Sequence, residues 1–147
     1  MPSRTRPVRG GTVRPAHHGG VRDLAPDIHR QRLVIEGVPA APVDDAAIRD
    51  YLTQLSDTLG MTTLLAPVTH RSPTYGWAGW IHWETSGAHF YAWEQPRLFF
   101  SVDIYTCAAF DPARAVDLTR RCFAPRDLEA YGIGSVVAPP RADHPAP

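Results

Sequence analysis

The spacing of hydrophobic and polar positions changes period along this chain, and the changes divide it into elements. Residues 31–37 (QRLVIEG) form a short β-rich run and read as a first strand. Beyond Asp44 and Asp45, either of which can serve as a cap, Ile48, Tyr51, Leu52, Leu55 and Leu59 recur at helical spacing. They form one apolar stripe, and Gly60 is the stop signal. Residues 61–68 (MTTLLAPV) read as a second strand that Pro67 either ends or confines to an edge. Residues 70–75 read as a loop. From Gly76 to Cys107 the pattern alternates, as in three consecutive antiparallel strands. In the first, Trp77, Ile81 and Trp83 share one face, with Ala78, Trp80, His82 and Glu84 on the other. Thr85-Ser86-Gly87 interrupts the run, and His89, Tyr91 and Trp93 then fall together. In the third, Phe100, Val102 and Ile104 face the core, with Asp103, Tyr105 and Cys107 opposite. Asp111-Pro112 is a cap followed by a first-turn proline. It opens a second helix to about Phe123, with Ala115, Val116, Thr119, Cys122 and Phe123 as its apolar face and Cys122 expected to be buried. A last short strand is expected over residues 133–137.

This order, βαβ, a meander, then α and β, predicts an α/β (α+β) two-layer sandwich: an antiparallel sheet with two helices on one face. Residues 1–28 carry five arginines, four glycines and four prolines. Such a segment buries too little surface to offset its ordering entropy and is expected to be disordered. The folded domain is placed at 29–138, followed by a Pro-rich tail at 139–147. No internal repeat is visible.

Composition narrows the chemistry. All 15 basic residues are arginine. Without lysine, neither a pyridoxal phosphate Schiff base nor a P-loop lysine is available, so a carbonyl cofactor would have to come from the chain itself. Formal net charge is zero, which gives no reason to expect nucleic acid or an acidic membrane as partner. No apolar run approaches the roughly 18 residues of a membrane span, and the arginine-containing N-terminus lacks the apolar segment of a secretory signal. Cys107 and Cys122 make no disulfide framework, which points to a reducing cytoplasm.

Across residues 32–123 the chain resembles the short prokaryotic S-adenosylmethionine decarboxylase family. The resemblance rests on His70-Arg71 followed by Tyr75-Gly76, on Gly76 and Gly79, on a serine ten residues after Gly76, on Trp93, on the strand Val102-Asp103-Ile104-Tyr105-Thr106-Cys107, and on the Asp111-Pro112 helix start. It implies a fold that pairs into a four-layer αββα dimer and a chain that cuts itself. A serine hydroxyl attacks the preceding carbonyl, and elimination from the ester leaves a pyruvoyl group. That group's carbonyl condenses with the substrate amine and acts as electron sink. In register, the pyruvoyl-forming serine is Ser86 and cleavage falls after Thr85. Glu84 stands one place before the position where the family has glutamate, and Gly87 is expected to ease the turn. Cys107 falls on the family's proton-donating cysteine.

Other positions depart from the family. Its processing serine is Ala78 here and its processing histidine is Tyr91, leaving His89 or His82 as candidate proton carriers. The adenine-stacking aromatic matches Ser72, and the ribose-binding carboxylate matches Gln95 or Glu94. Trp77 or Trp80 could supply the missing ring. The resemblance therefore implies a pyruvoyl enzyme of polyamine (spermidine) biosynthesis acting on S-adenosylmethionine or another amino acid. The alternative is a non-processing relative that binds ligand or regulates a partner, as a homodimer or as a heterodimer with another family member. A metal site built from His82, His89 and Glu84 is a third reading, but no tight ligand triplet is spelled out, and none is expected.

Overall fold

A computed structural model describes residues 24–133 and the backbone of Arg14–Pro15. Most of the expected N-terminal tail, all of the C-terminal tail and residues 134–137 of the expected last strand lie outside the described residues. The elements are β1 (Arg14–Pro15), β2 (Gln31–Val38), α1 (Asp45–Leu59), β3 (Thr63–Ser72), β4 (Gly76–Trp83), β5 (Ser86–Trp93), β6 (Phe99–Thr106), α2 (Pro112–Phe123) and β7 (Asp127–Gly132). They make one open sheet in the order β1-β7-β2-β6-β5-β4-β3. It is antiparallel throughout, apart from the two-residue β1 running parallel to β7. Both helices cover the same face, as the order of elements predicts.

Helix α1 forms where its stripe lies. Asp44 accepts the Ala47 N–H at 2.9 Å as N-cap, and Gly60 closes the helix with φ 67, a left-handed value that glycine takes without a Cβ penalty. Ile48, Tyr51, Leu52 and Leu55 are fully buried. On α2, Asp111 caps and Pro112 follows it. The core is aromatic. Phe123 lies over Tyr51, Phe90 and Phe100, with ring centroids 5.0, 5.1 and 5.3 Å away. The buried Tyr51 hydroxyl is paired with Thr119 at 2.8 Å. Trp83, also fully buried, donates its indole N–H to Ser56 on α1 at 2.6 Å.

Three expectations are corrected. Cys122 is exposed; Phe123 occupies the space over the core, and Leu118, absent from the predicted face, is buried instead. Among the described residues there is also a strand that the pattern did not reveal, β7, where Leu128 and Ala130 pack inward while Glu129 and Tyr131 alternate outward. Strand β3 lies at the sheet edge, one of the two readings of Pro67, but runs past residue 68 to Ser72, absorbing the proline through register shifts between Thr63 and Val68. His70, Arg71 and Ser72 are therefore strand residues, and only Pro73–Tyr75 turn.

Two predictions follow from how α1 sits on the sheet. At Gly79 an alanine methyl would lie 2.5 Å from Ile48 Cγ2 and 3.0 Å from Thr69 Cγ2. Gly79→Ala is expected to destabilise the fold by about 1–3 kcal/mol, the usual cost of overpacking, read as a lowered melting temperature. Asp45 in the first turn of α1 accepts hydrogen bonds from Thr69 on β3 and from Arg49, and these hold its carboxyl below the ordinary value, Thr69 contributing most. A depressed folded pKa gives stability that is present above the unfolded value of 3.8 and lost as pH falls through the folded one. Thr69→Val should therefore be less stable than wild type to urea at neutral pH, and the gap should close in acid below that range.

Candidate active site

The β4–β5 hairpin sets the first cluster. Trp83 pairs with Ser86, so the loop is only Glu84-Thr85. Tight hairpins need left-handed backbone somewhere, and it falls on Ser86, with φ 122. A non-glycine residue there stores of order 1–3 kcal/mol of strain. Gly87, expected to ease the turn, has a different job: a Cβ there would lie 2.3 Å from the Ile81 carbonyl oxygen, so it allows close approach of β4. The loop is held on both sides. The Glu84 N–H donates to Thr62 O at 2.9 Å, and the Cys107 N–H donates to Thr85 O at 3.0 Å. The carbonyl preceding Ser86 thus already accepts a backbone donor, supplied by the residue just past the end of β6. The Cys107 side chain is exposed, not a buried strand thiol.

Beside the loop, the open face of the sheet forms a cleft of about 510 Å³ lined by Ser86, His82, His89, Trp80, Asp103 and Tyr105, among others. His82 is the direct cross-strand partner of Gly87, and His89 lies opposite Trp80 and Asp103. Arg32 from β2 donates to both oxygens of Asp103, at 2.9 and 2.5 Å, and this pairing raises the guanidinium's affinity for its proton. Asp103 therefore comes with its own counter-ion. Along β5 and into β6 a row of rings continues from the cleft, Trp80 to His89, His89 to Tyr91, Tyr91 to Trp93 and Trp93 to Phe99, with successive centroids 5.3–6.4 Å apart.

The second cluster lies at the other end of the strands. Ala78 and Tyr91, which the sequence reading sets at two expected processing positions, stand directly opposite each other. Ser72 Oγ accepts the Thr74 and Tyr75 N–H groups, both at 3.2 Å, and so shapes its own turn. Glu94 pairs with Arg71 at 3.0 Å, and the Arg71 guanidinium lies 5.9 Å from the centroid of the Trp77 ring. Gln95 is exposed beside Glu94. Ser72, Trp77, Ala78, Tyr91 and Trp93 line a cleft of about 360 Å³. Trp77 also packs against the core.

Glu84, Thr85, Ser86 and Cys107 are therefore gathered at one end, with His82 and His89 beside them. Ser72, Trp77, Tyr91, Glu94 and Gln95 are gathered at the other. Tyr91 is five residues from Ser86 along β5, roughly 17 Å, so one chain does not join the two clusters. Among the described residues no three His, Cys, Asp or Glu side chains stand close enough to hold a metal ion, which leaves the His82, His89, Glu84 reading without a ligand set. Sequence reading passed over Arg32, Met61 and Thr106. The signal for Thr106 was present, a hydroxyl on the core-facing side of β6 beside the candidate cysteine, but its partner became visible only with the hairpin in place.

No helix among the described residues is long and apolar enough to cross a membrane. No curated protein matches the sequence. Among solved structures, the adenosylmethionine decarboxylase from Aquifex aeolicus superposes with a TM-score of 0.61 at 19% identity, over 80% of this chain and 98% of that one. That likeness is one of fold. The family model for S-adenosylmethionine decarboxylase matches residues 34–133, a span running from β2 to the end of β7 and including both clusters. The chain belongs to the S-adenosylmethionine decarboxylase family.

Proposed function

We propose that this chain is a pyruvoyl-dependent decarboxylase that cuts itself between Thr85 and Ser86. The supporting observation is the hairpin itself: a strained serine directly follows a carbonyl that accepts the Cys107 N–H. Addition of Ser86 Oγ to the Thr85 carbonyl carbon places negative charge on the oxygen that this N–H already faces, a preorganised oxyanion donor. The C–N bond then breaks, the Ser86 nitrogen takes a proton, and an ester remains. Loss of the Ser86 Cα proton expels the Thr85 carboxylate, and water replaces the nitrogen, which leaves as ammonia. The residues present fit a pyruvoyl group, which would supply an electron sink for carbon dioxide loss from an amine-bearing substrate.

Proton transfers in that sequence need a titratable group near Ser86, since Ala78 and Tyr91 stand at the far end. His82, one ladder position from Ser86, is nearer in register than His89, three residues along the strand, and is the proposed carrier. The exposed Cys107 thiol is the proton donor to the product, while its backbone N–H serves the cleavage. S-adenosylmethionine is the proposed substrate, placing the protein in polyamine biosynthesis in the cytoplasm. The far cleft, with Tyr91 and Trp93 as ring surfaces and Ser72, Glu94 and Gln95 at its rim, is the proposed subsite for the nucleoside; Trp77, opposite Ala92 on the helix-covered face, serves the core.

A homodimer pairing through the open sheet face, with strand directions reversed, would set the far cleft of one copy against the Ser86 end of the other. The exposed Tyr91 and Tyr105 on that face support such pairing. The Ala78–Tyr91 pair favours a second reading, an uncleaved member that binds ligand or partners an active relative.

Intact mass spectrometry separates the two readings. Cleavage gives fragments 1–85 and 86–147, the second blocked at its N-terminus and reducible by borohydride, and Ser86→Ala stays whole. A wild-type chain continuous through residue 85, with no trappable ketone, sinks the proposal and leaves the second reading. Cys107→Ala keeps its backbone N–H, so it should still cleave but lose turnover by about 10²–10⁴, the usual contribution of a general acid. His82→Ala should slow cleavage more than His89→Ala, measured as the uncut fraction against time.

A further inference from the structure

We infer that Thr106 is a positioning residue for self-cleavage, acting through Thr85; this rests on the reading of Ser86 given above. Thr106 is polar and fully buried at the end of β6, and its hydroxyl has a complete set of partners. Thr106 Oγ1 accepts the Ala108 N–H at 3.0 Å and donates to Thr85 Oγ1 at 3.0 Å. Thr85 Oγ1 in turn donates to Met61 Sδ at 3.4 Å. A thioether accepts and has no proton to give, so the chain has one direction: Ala108 N–H to Thr106, Thr106 to Thr85, Thr85 to Met61. Thr106 Oγ1 also lies 4.0 Å from the same sulfur, but a hydroxyl has a single proton and the shorter contact takes it.

Each part of this chain has a local cause. Gly60 ends α1 in left-handed backbone, and the Met61 N–H returns to Ser56 O at 2.9 Å, which turns Met61 toward the hairpin. Thr106 lies opposite Ser86 in the ladder, on the core-facing side. Consecutive residues of one strand end therefore grip Thr85 at two points. Thr106 takes its side chain through the hydroxyl, and Cys107 takes its carbonyl oxygen through the backbone N–H. Thr85 carries the carbonyl that Ser86 attacks, so its orientation sets the angle and distance of that attack.

The test compares Thr106→Val, which keeps the shape and removes the hydroxyl, with Thr106→Ser, which keeps the hydroxyl. Full-length chains made by cell-free translation are followed on denaturing gels for conversion to the two fragments. The same substitutions on a Ser86→Ala chain, which cannot cleave, give melting temperatures that measure any purely structural effect. Thr106→Val should cleave about 10- to 100-fold more slowly, the scale expected for a displaced reacting group. Thr106→Ser should return to within a few-fold of wild type, and the Ser86→Ala backgrounds should melt within a few degrees of one another. Cleavage of Thr106→Val at the wild-type rate overturns the inference while leaving the cleavage reading intact. So does a slowing fully accounted for by loss of folded chain. A wild-type chain that never cleaves removes the reading of Ser86 and this inference with it.

Discussion

The arrangement depends on one buried hydrogen bond at the edge between sheet and helix. Trp83 is the largest fully buried side chain, and its indole N–H would be costly there without an acceptor. Ser56 supplies that acceptor while donating its own proton to Leu52 O within α1. The bond fastens the last residue of β4 to the last turn of α1. Because Trp83 is the residue immediately before the two-residue loop, the loop has little freedom left. The turn must close over Glu84 and Thr85, and the strain of closing falls on Ser86. The same helix end then delivers Met61 beneath Thr85, so the element that buries the tryptophan also supports the candidate scissile bond.

Much of this was legible in the residue pattern because burial and period agree. The stripe on α1 and the alternation in β4, β5 and β6 rest on one signal, apolar residues recurring at the period of their element, and the Asp-Pro start of α2 on a second, its cap. Misreadings came where a second influence competed. Cys122 lies at helical spacing from Ala115 and Thr119, but at the end of α2 the larger Phe123 takes the space above Tyr51, Phe90 and Phe100. Strand β7 reads poorly because only Leu128 and Ala130 face inward and the outward positions carry Glu129 and Tyr131. Pro67 marks an edge without ending the strand, since its carbonyl is used by Arg49 at 2.6 Å and the ladder slips around it.

The candidate site was legible as a set of residue types and spacings, not as geometry. The resemblance singles out Ser86, Cys107, Ala78 and Tyr91, but only the ladder reveals that the last two oppose each other at a distance from the first two. Gly87 drew attention as the flexible residue of the turn, yet the left-handed backbone is on Ser86 and the glycine serves close packing against Ile81. Turn strain is settled by loop length and register, and neither is printed in a dipeptide.

The departures at Ala78 and Tyr91 count differently once backbone and side-chain roles are separated. A side-chain hydroxyl or imidazole can be lost by one substitution. The N–H that faces the Thr85 carbonyl belongs to the main chain of residue 107, and every residue except proline provides it. That hydrogen bond is therefore kept however the surrounding side chains drift, as long as β6 keeps its register against β5. Proton carriers are more replaceable, because several positions on the open face reach the cleft and two histidines already stand there. A lineage could thus exchange the groups that move protons while keeping the groups that hold the carbonyl. That division fits this chain, in which the hairpin and its backbone donor stand at one end of the strands and the Ala78–Tyr91 pair at the other.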